Sequence, residues 1–422
     1  MKKLHMKCLM IALCIGLCFQ PLQSVTKNNK IKLTAPHQEC VSTANFDRNA
    51  TTVSAANNDD CGINISAKSA YLMDFDTKTC MFEKCANEKL PIASMCKIMT
   101  LLLTFEGIEQ GRLSENQRIT VSEHAASMGG SQAFLRANED YLVSDLIKSI
   151  VIASANDSCV ALAECLSGSV DVFVKEMNEK ALSIGMNDTV FQNCTGLPKP
   201  GQFSTAKDVA IMLCALLNHP NYYNYSQIWM DEMPHKDGTH TELTNTNKLI
   251  RFYDGCDGGK TGYTQEAKFC LAATAKRGNL RLISVIIGAE NGKTRFQESS
   301  ELLSYGFAQF TNEKVVSTEE PLNEVAKVRG GKTKTVPIKP EQNAFCLVKR
   351  GEKPLIQTTL TLREVQAPLK AGTPVGTLSI YKDNVLVKEV SVITVEAVEK
   401  RTVKDVLREI FNVFPIKNNN NS

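Results

Sequence analysis

The chain has 422 residues, of which 43% are hydrophobic and 22% charged, and a formal net charge of +3. That length exceeds what one small core needs, so more than one domain is expected, and the composition excludes a long disordered protein. Loss of residues 1–24 would remove Lys2, Lys3 and Lys7 and no acid, bringing the net charge to zero. No basic excess then points to nucleic acid, and no zinc-finger spacing or recognition-helix pattern is present.

The N-terminus has the plan of a secretory signal peptide. Three lysines precede the apolar run CLMIALCIGLCF, and QPLQS follows. The run is far short of the roughly 20 apolar residues that cross a bilayer, so residues 1–24 read as a cleaved leader and the protein as exported, with an uncleaved anchor as the alternative. Residues 25–62 are rich in Asn, Thr, Ser and Lys and read as a flexible linker. Of 15 cysteines, Cys8, Cys14 and Cys18 lie in the leader. The other twelve have no metal-ligand spacing, and buried thiols and disulfides both remain open. No metal or organic cofactor is suggested.

Regular structure is expected from AKSAYLMDFDTKTCMFEK, a hairpin turning at Asp-Thr-Lys. A helix follows from near Ser94 to near Gly111. A second, YLVSDLIKSIVIA, places Leu142, Leu146, Ile147, Ile150 and Val151 on one face. After the break SAND, Asp157 is placed to cap a helix over SCVALAECL, and VDVFVKEMNEKALSIG and TAKDVAIMLCALLN are helical. FCLAATAKRGNLRLISVIIGAE reads as a β-hairpin with GGKTGYT at the head of its first strand, and RFQESSELLSYGFAQF returns to helix. Beyond residue 315, short β-type runs broken by Gly and Pro imply a small all-β domain. Gly331-Lys332-Thr333 is no phosphate loop, because the required earlier glycine is Ala326. The divisions expected are 1–24 leader, 25–62 linker, 63–314 catalytic domain, 315–397 β-domain and 398–416 terminal helix. In that last segment Val403, Val406, Leu407, Ile410, Phe411 and Phe414 share one face, and Pro415 stops the helix. Such a helix suits a membrane surface, or packing on a protein.

Three short motifs carry chemistry. In PIASMCKIMT, Ser94 and Lys97 are three apart, about 60° from each other on a helix, whereas Cys96 points away from Ser94. A serine hydroxyl is a poor nucleophile until a base takes its proton. A lysine is such a base only when neutral, which burial among apolar neighbours favours. Ser154-Ala155-Asn156 stands in a turn between apolar helices, where a hydroxyl can pass a proton and an amide can hold a peptide bond. Lys260-Thr261-Gly262 follows two glycines: a cation and a hydroxyl that suit a carboxylate, beside a residue that permits close approach. Each motif alone also fits an ordinary cap, turn or solvated lysine. Together and in this order they form the set shared by penicillin-binding proteins and class A β-lactamases.

With PIASMCKIMT, GGSQAFL, SANDSCVALAE, GLPKPGQFSTAKDVA, NTNKL and DGGKTGYTQEAKFCLAATA in family order, the chain resembles the D-alanyl-D-alanine carboxypeptidases, low-molecular-mass penicillin-binding proteins of the serine peptidase S11 family. The resemblance covers roughly residues 65–414. It implies a transpeptidase- and β-lactamase-like α/β (α+β) catalytic domain, with an antiparallel sheet and a helical region, followed by the small all-β domain. The implied reaction removes the last D-alanine from peptidoglycan pentapeptide stems, at the outer face of the bacterial membrane or in the wall. Ser94 would be the nucleophile, Lys97 the base and Ser154 a proton relay. Asn156 would orient the peptide, and Lys260 and Thr261 would hold its carboxylate. The N–H groups of Ser94 and Tyr263 would form the oxyanion hole, with Gly262 between Thr261 and Tyr263. Stem peptides, β-lactam antibiotics and the membrane surface are the implied partners. Ala155, Ser158, Cys96, Gln202-Phe203 and Asn138-Glu139-Asp140 depart from the usual family pattern, and Cys96 raises thiol sensitivity as an expectation. A β-lactamase is the first alternative, although no Glu-x-x-Leu-Asn segment lies between Ser154 and Lys260. A catalytically silent wall-binding protein is the second.

Overall fold

The computed structural model describes residues 62–413, so the expected leader, most of the linker and the end of the tail lie outside the described residues. β1 (Ser69–Asp74) and β2 (Cys80–Lys84) form the hairpin expected from the alternating sequence. A 3-10 turn, Ala93–Cys96, leads into α1 (Lys97–Glu109). Next come β3 (Arg118–Thr120), α2 (Glu123–Ala126) and β4 (Asp140–Leu142). The long helices α3 (Val143–Ala153), α4 (Asn156–Ser167), α5 (Val170–Ser183) and α6 (Ala206–Leu216) complete a helical region. After α7 (Tyr223–Ser226), a hairpin of β5 (Met230–Pro234) and β6 (His240–Thr244), and α8 (Leu249–Phe252), the chain enters β7 (Cys256–Thr264). β8 (Lys268–Arg277) and β9 (Leu280–Ala289) form the second expected hairpin, and α9 (Gly292–Gln309) follows.

The main sheet is antiparallel throughout, in the order β2-β1-β9-β8-β7. Successive strand side chains point to opposite faces, and here both faces are buried. Tyr71, Met73, Ile283 and Val285 face the helical region, while Ala70, Leu72, Leu282 and Ile286 pack with Leu302, Leu303 and Phe307 of α9. α1 is apolar on nearly every side, as a helix inside a core must be. It packs against α4, α5 and α6, so its first turn is held from several directions. The sheet places Lys260-Thr261-Gly262 differently from expectation. The motif lies within its own strand, β7, at the edge of the sheet, rather than at the head of β8. Three glycines in nine residues hide the period-2 pattern that would have marked β7 as a strand.

β10 (Phe310–Val316) straddles the expected boundary at 314/315. It pairs not with the main sheet but with β13 (Ala344–Lys349). β11 (Val325–Arg329), β12 (Thr335–Pro340), β14 (Ile356–Leu362), β15 (Val365–Gln366), β16 (Pro374–Lys382) and β17 (Val385–Thr394) form a sheet ordered β14-β16-β17-β12-β11-β15. Val328, Val336, Ile338, Val375, Leu378 and Val392 make its own core. Asn312 reaches back from β10 to donate to Asp74 Oδ1 at 2.9 Å, tying this part to the β1–β2 turn. The terminal α10 (Val403–Val413) opens on a reciprocal cap. Thr402 N donates to the Asp405 carboxylate at 2.8 Å, and Asp405 N donates to the Thr402 hydroxyl at 3.3 Å. Val403, Val406 and Leu407 on this helix are exposed, Val403 to 76%.

Candidate active site

Ser94 sits in the 3-10 turn that starts α1. The residue before it, Ala93, has φ +47°, a left-handed conformation that costs a non-glycine residue of order 1–3 kcal/mol. Two glycines hold this turn from either side. A Cβ on Gly196 would lie 2.0 Å from the Ala93 carbonyl oxygen. One on Gly262 would lie 2.8 Å from the Ile92 oxygen and 3.2 Å from the Ser94 nitrogen. The outer edge of β7 therefore runs directly beside the Ser94 backbone N–H, and only a residue without a side chain fits at position 262.

Lys97 is completely buried. Its Nζ stands 2.9 Å from Ser94 Oγ and donates to the Thr195 carbonyl at 2.6 Å. Among the described residues it has no ion-pair partner, and burial pushes the amine below its ordinary range. Lys260, 2% exposed, is in the same condition. Burial pushes its amine well down, and Lys97, close enough to repel it, adds to the effect. Its Nζ donates to the Thr261 carbonyl at 3.3 Å. Cys159, one turn into α4, lies within electrostatic range of both amines, so α4, α1 and β7 converge here.

Ser154 ends α3 with φ +66°, a second left-handed non-glycine residue. Its hydroxyl is buried and has no hydrogen-bond partner among the described residues. Leaving such a group unpaired costs about 1–3 kcal/mol, and a substrate or proton relay would satisfy it. Asn156 donates through Nδ2 to the Gly129 carbonyl at 2.6 Å, and its backbone N–H donates to Ser131 O at 2.7 Å. Gly130 must lack a side chain, because a Cβ there would lie 2.7 Å from Asn156 Nδ2. Asp157 does not cap α4 as expected. That helix starts at Asn156, one residue before it, and the Asp157 carboxylate instead accepts from the backbone N–H groups of Ala133, Leu135 and Ser158. It anchors the 129–135 loop against Asn156, a long-range role that local capping rules do not reveal.

Thr261 donates to Thr246 Oγ1 at 2.7 Å, and the Thr246 N–H donates to Ile152 O at 3.0 Å. Thr246 thus bridges the end of α3 and β7 across the cleft. Tyr263 is exposed, and its ring stacks on Phe269 at 4.4 Å. Behind β7, Arg295 donates to the Gly262 carbonyl at 3.0 Å and to Cys270 O at 3.2 Å, and burial lowers it to about 10. The sequence reading named neither Thr246 nor Arg295. The segment NTNKL, which contains Thr246, has no chemistry-bearing spacing of its own, and an arginine in the first turns of a helix carries no local signal. Cys96 points away from Ser94, donates to Asn193 O at 3.2 Å and is fully buried, which pushes its thiol up to about 12. A thiol so placed is a poor nucleophile at neutral pH. The ten described cysteines are all free.

Residues 50–291 match the family model described as D-alanyl-D-alanine carboxypeptidase. The chain belongs to that family. Residues 310–400 match the model for the C-terminal domain of penicillin-binding protein 5. The chain is 40% identical over 336 residues to the D-alanyl-D-alanine carboxypeptidase DacF of Bacillus subtilis, covering 79% of this chain and 86% of that one. It is 32% identical to the carboxypeptidase DacC of Escherichia coli, covering 80% and 85%. Its structure resembles penicillin-binding protein 5 of Haemophilus influenzae, with a TM-score of 0.64 and 28% identity over 80% of this chain and 98% of that one. The protein is a serine-type D-alanyl-D-alanine carboxypeptidase with a mixed helix-and-sheet catalytic part and a C-terminal β-domain. The β-lactamase and silent-binder alternatives are not favoured by these relatives.

The fit of β7 against the Ser94 turn has a direct test. In Gly262→Ala, the added methyl should displace the Ile92–Ser94 backbone and lower the rate of acylation by benzylpenicillin by roughly a hundredfold, with circular dichroism unchanged. An acylation rate within twofold of wild type would show that this close approach is not needed.

Proposed function

We propose that this carboxypeptidase works through an acyl-enzyme on Ser94, with the residue roles that follow. The observation that carries the reading is the fully buried Lys97 amine, pushed below its ordinary range by that burial, 2.9 Å from the Ser94 hydroxyl. Lys97 takes the hydroxyl proton as Ser94 Oγ attacks the carbonyl carbon of the penultimate D-alanine. The Ser94 and Tyr263 backbone N–H groups receive the developing oxyanion. The C–N bond then breaks, and the proton passes from Lys97 through Ser154 to the departing amine. Water, deprotonated in turn by Lys97, releases the shortened stem and restores Ser94.

Recognition follows from the same pocket. Lys260 and the Thr261 hydroxyl face the free carboxylate of the terminal D-alanine, and Asn156 aligns the peptide. An arriving carboxylate favours the charged form of Lys260. That pair carries no net charge, so substrate binding does not drive Lys97 to take up a proton. Penicillins present a carboxylate and a strained amide to the same groups. The Thr195 carbonyl, rather than a glutamate, faces Lys97 from the 192–197 loop, which supports slow release of a penicilloyl group. Labelling with a fluorescent penicillin should succeed for wild type and Cys96→Ala and fail for Ser94→Ala, with release of D-alanine from a pentapeptide lost in parallel. Labelling that survives loss of Ser94, or disappears with Cys96, would reassign the nucleophile.

The proposed setting is the outer face of the cell membrane or the wall, with residues 1–24 as an export leader, 25–62 as a linker and α10 as an in-plane anchor. The exposed Val403, Val406 and Leu407 support the anchor, and among the described residues no helix is long and apolar enough to cross a membrane. A chain ending before Lys400 is expected to lose binding to liposomes while keeping its activity on soluble peptides. Equal liposome binding by the full and shortened chains would reject the anchor.

A further inference from the structure

We infer that Asn193, steadied by Gln202, is a positioning residue for acylation: it fixes the Thr195 carbonyl from which the Lys97 amine hangs, and so aims that amine's lone pair at the Ser94 hydroxyl. The inference deepens the proposed mechanism and rests on Lys97 acting as the base.

A neutral amine has two N–H bonds and one lone pair, and which of them meets Ser94 decides whether Lys97 can act. A backbone carbonyl only accepts. At 2.6 Å the Thr195 oxygen therefore claims an N–H of Lys97, which restricts the lone pair to the remaining directions, Ser94 Oγ at 2.9 Å among them. Thr195 lies 98 residues beyond Lys97 in a segment without regular structure, so something must hold its carbonyl in place.

Asn193 does this through both ends of its amide. Its Oδ1 accepts from the Gly196 N–H at 2.7 Å, and from the Thr195 N–H and the Thr195 hydroxyl, each at 3.2 Å. Its Nδ2 donates to the Leu197 carbonyl at 2.9 Å. The loop is thereby folded around one side chain, with the Thr195 carbonyl turned outward to Lys97. Gln202 completes the hub: its Oε1 accepts from the N–H groups of Gln192 at 2.9 Å and Asn193 at 3.1 Å, and its Nε2 donates to Leu197 O at 3.1 Å. The hub also reaches the turn that carries the nucleophile. Cys96 donates to the Asn193 carbonyl, and Gly196 packs against the Ala93 carbonyl. The groups that face Lys97 from the elements around it are the Thr195 carbonyl, Ser94, Cys96, Cys159, Cys194, Asp157 and Lys260. Of these, the Thr195 carbonyl is held by side chains that the reaction itself does not use.

The carbonyl binds an ammonium more strongly than an amine. Freeing it should therefore lower both the rate and the pH at which Lys97 loses its proton. The experiment is the second-order rate of acylation of the full chain by benzylpenicillin, measured against pH, with the folded fraction taken from circular dichroism. Asn193→Ala is expected to lose on the order of tenfold to a hundredfold in rate, with its acidic limb moved to lower pH. Gln202→Ala should move the same way by less. Asn193→Asp, which keeps the acceptors for Thr195 and Gly196, should recover much of the rate, with a limb displaced upward by its charge. A loosened structure alone would lower the rate without moving the limb. Wild-type rates and an unmoved limb in both alanine variants would overturn the inference, and if Asn193→Ala fails to fold, Gln202→Ala decides it. A Lys97→Ala variant that still acylates would instead overturn the assignment of the base.

Discussion

Two buried lysine amines close enough to repel, neither with an ion-pair partner among the described residues, are the constraint on which the rest of the site depends. A buried ammonium is costly, and two side by side are costlier, so their burial favours neutral nitrogen. A neutral Lys97 is what a serine nucleophile requires. Burial of Lys260 looks wasteful until the substrate is considered, since the carboxylate that it would bind is the missing counter-charge. The fold secures this burial by bringing the amines in from opposite sides, Lys97 from the most enclosed helix of the helical region and Lys260 from the edge strand of the sheet.

Local strain at the same place fits this picture. Ala93 and Ser154 both adopt left-handed backbone conformations, and the Ser154 hydroxyl is buried without a partner among the described residues. Proteins keep such features where the surroundings over-determine them. Gly196 and Gly262 hold the Ser94 turn from two sides, and Asp157 and Gly130 fix the loop around Asn156. The long-range contacts that offset the strain also place groups from α1, α4 and β7 around one cleft.

Much of this was legible in the sequence where the determining physics is local. The turn separating β8 from β9, the apolar faces of α3 and α6, and the pairing of Ser94 with Lys97 all depend on neighbours a few residues apart, although Ser94 lies in a 3-10 turn and not in the α-helix that its expected 60° offset assumed. β7 was misplaced because Gly258, Gly259 and Gly262 erase its alternation, and Asp157 was read as a cap because its backbone partners, Ala133 and Leu135, lie more than 20 residues earlier. Thr246, Arg295 and the Thr195 carbonyl escaped for the same reason. Each acts through a contact that only the folded chain creates, and a backbone carbonyl leaves no mark on sequence at all. The family resemblance supplied the order and roles of the motifs, but not the shape of the loop that orients the base.

The most direct test of the central claim is the titration of the Lys97 amine itself, followed by NMR in chain carrying 13C at the lysine ε-carbon and assigned with Lys97→Arg. The Lys97 signal is expected to titrate below the ordinary lysine value of about 10.4. A midpoint at or above that ordinary value would mean that Lys97 is a cation in the resting enzyme, and would contradict its role as the base for Ser94.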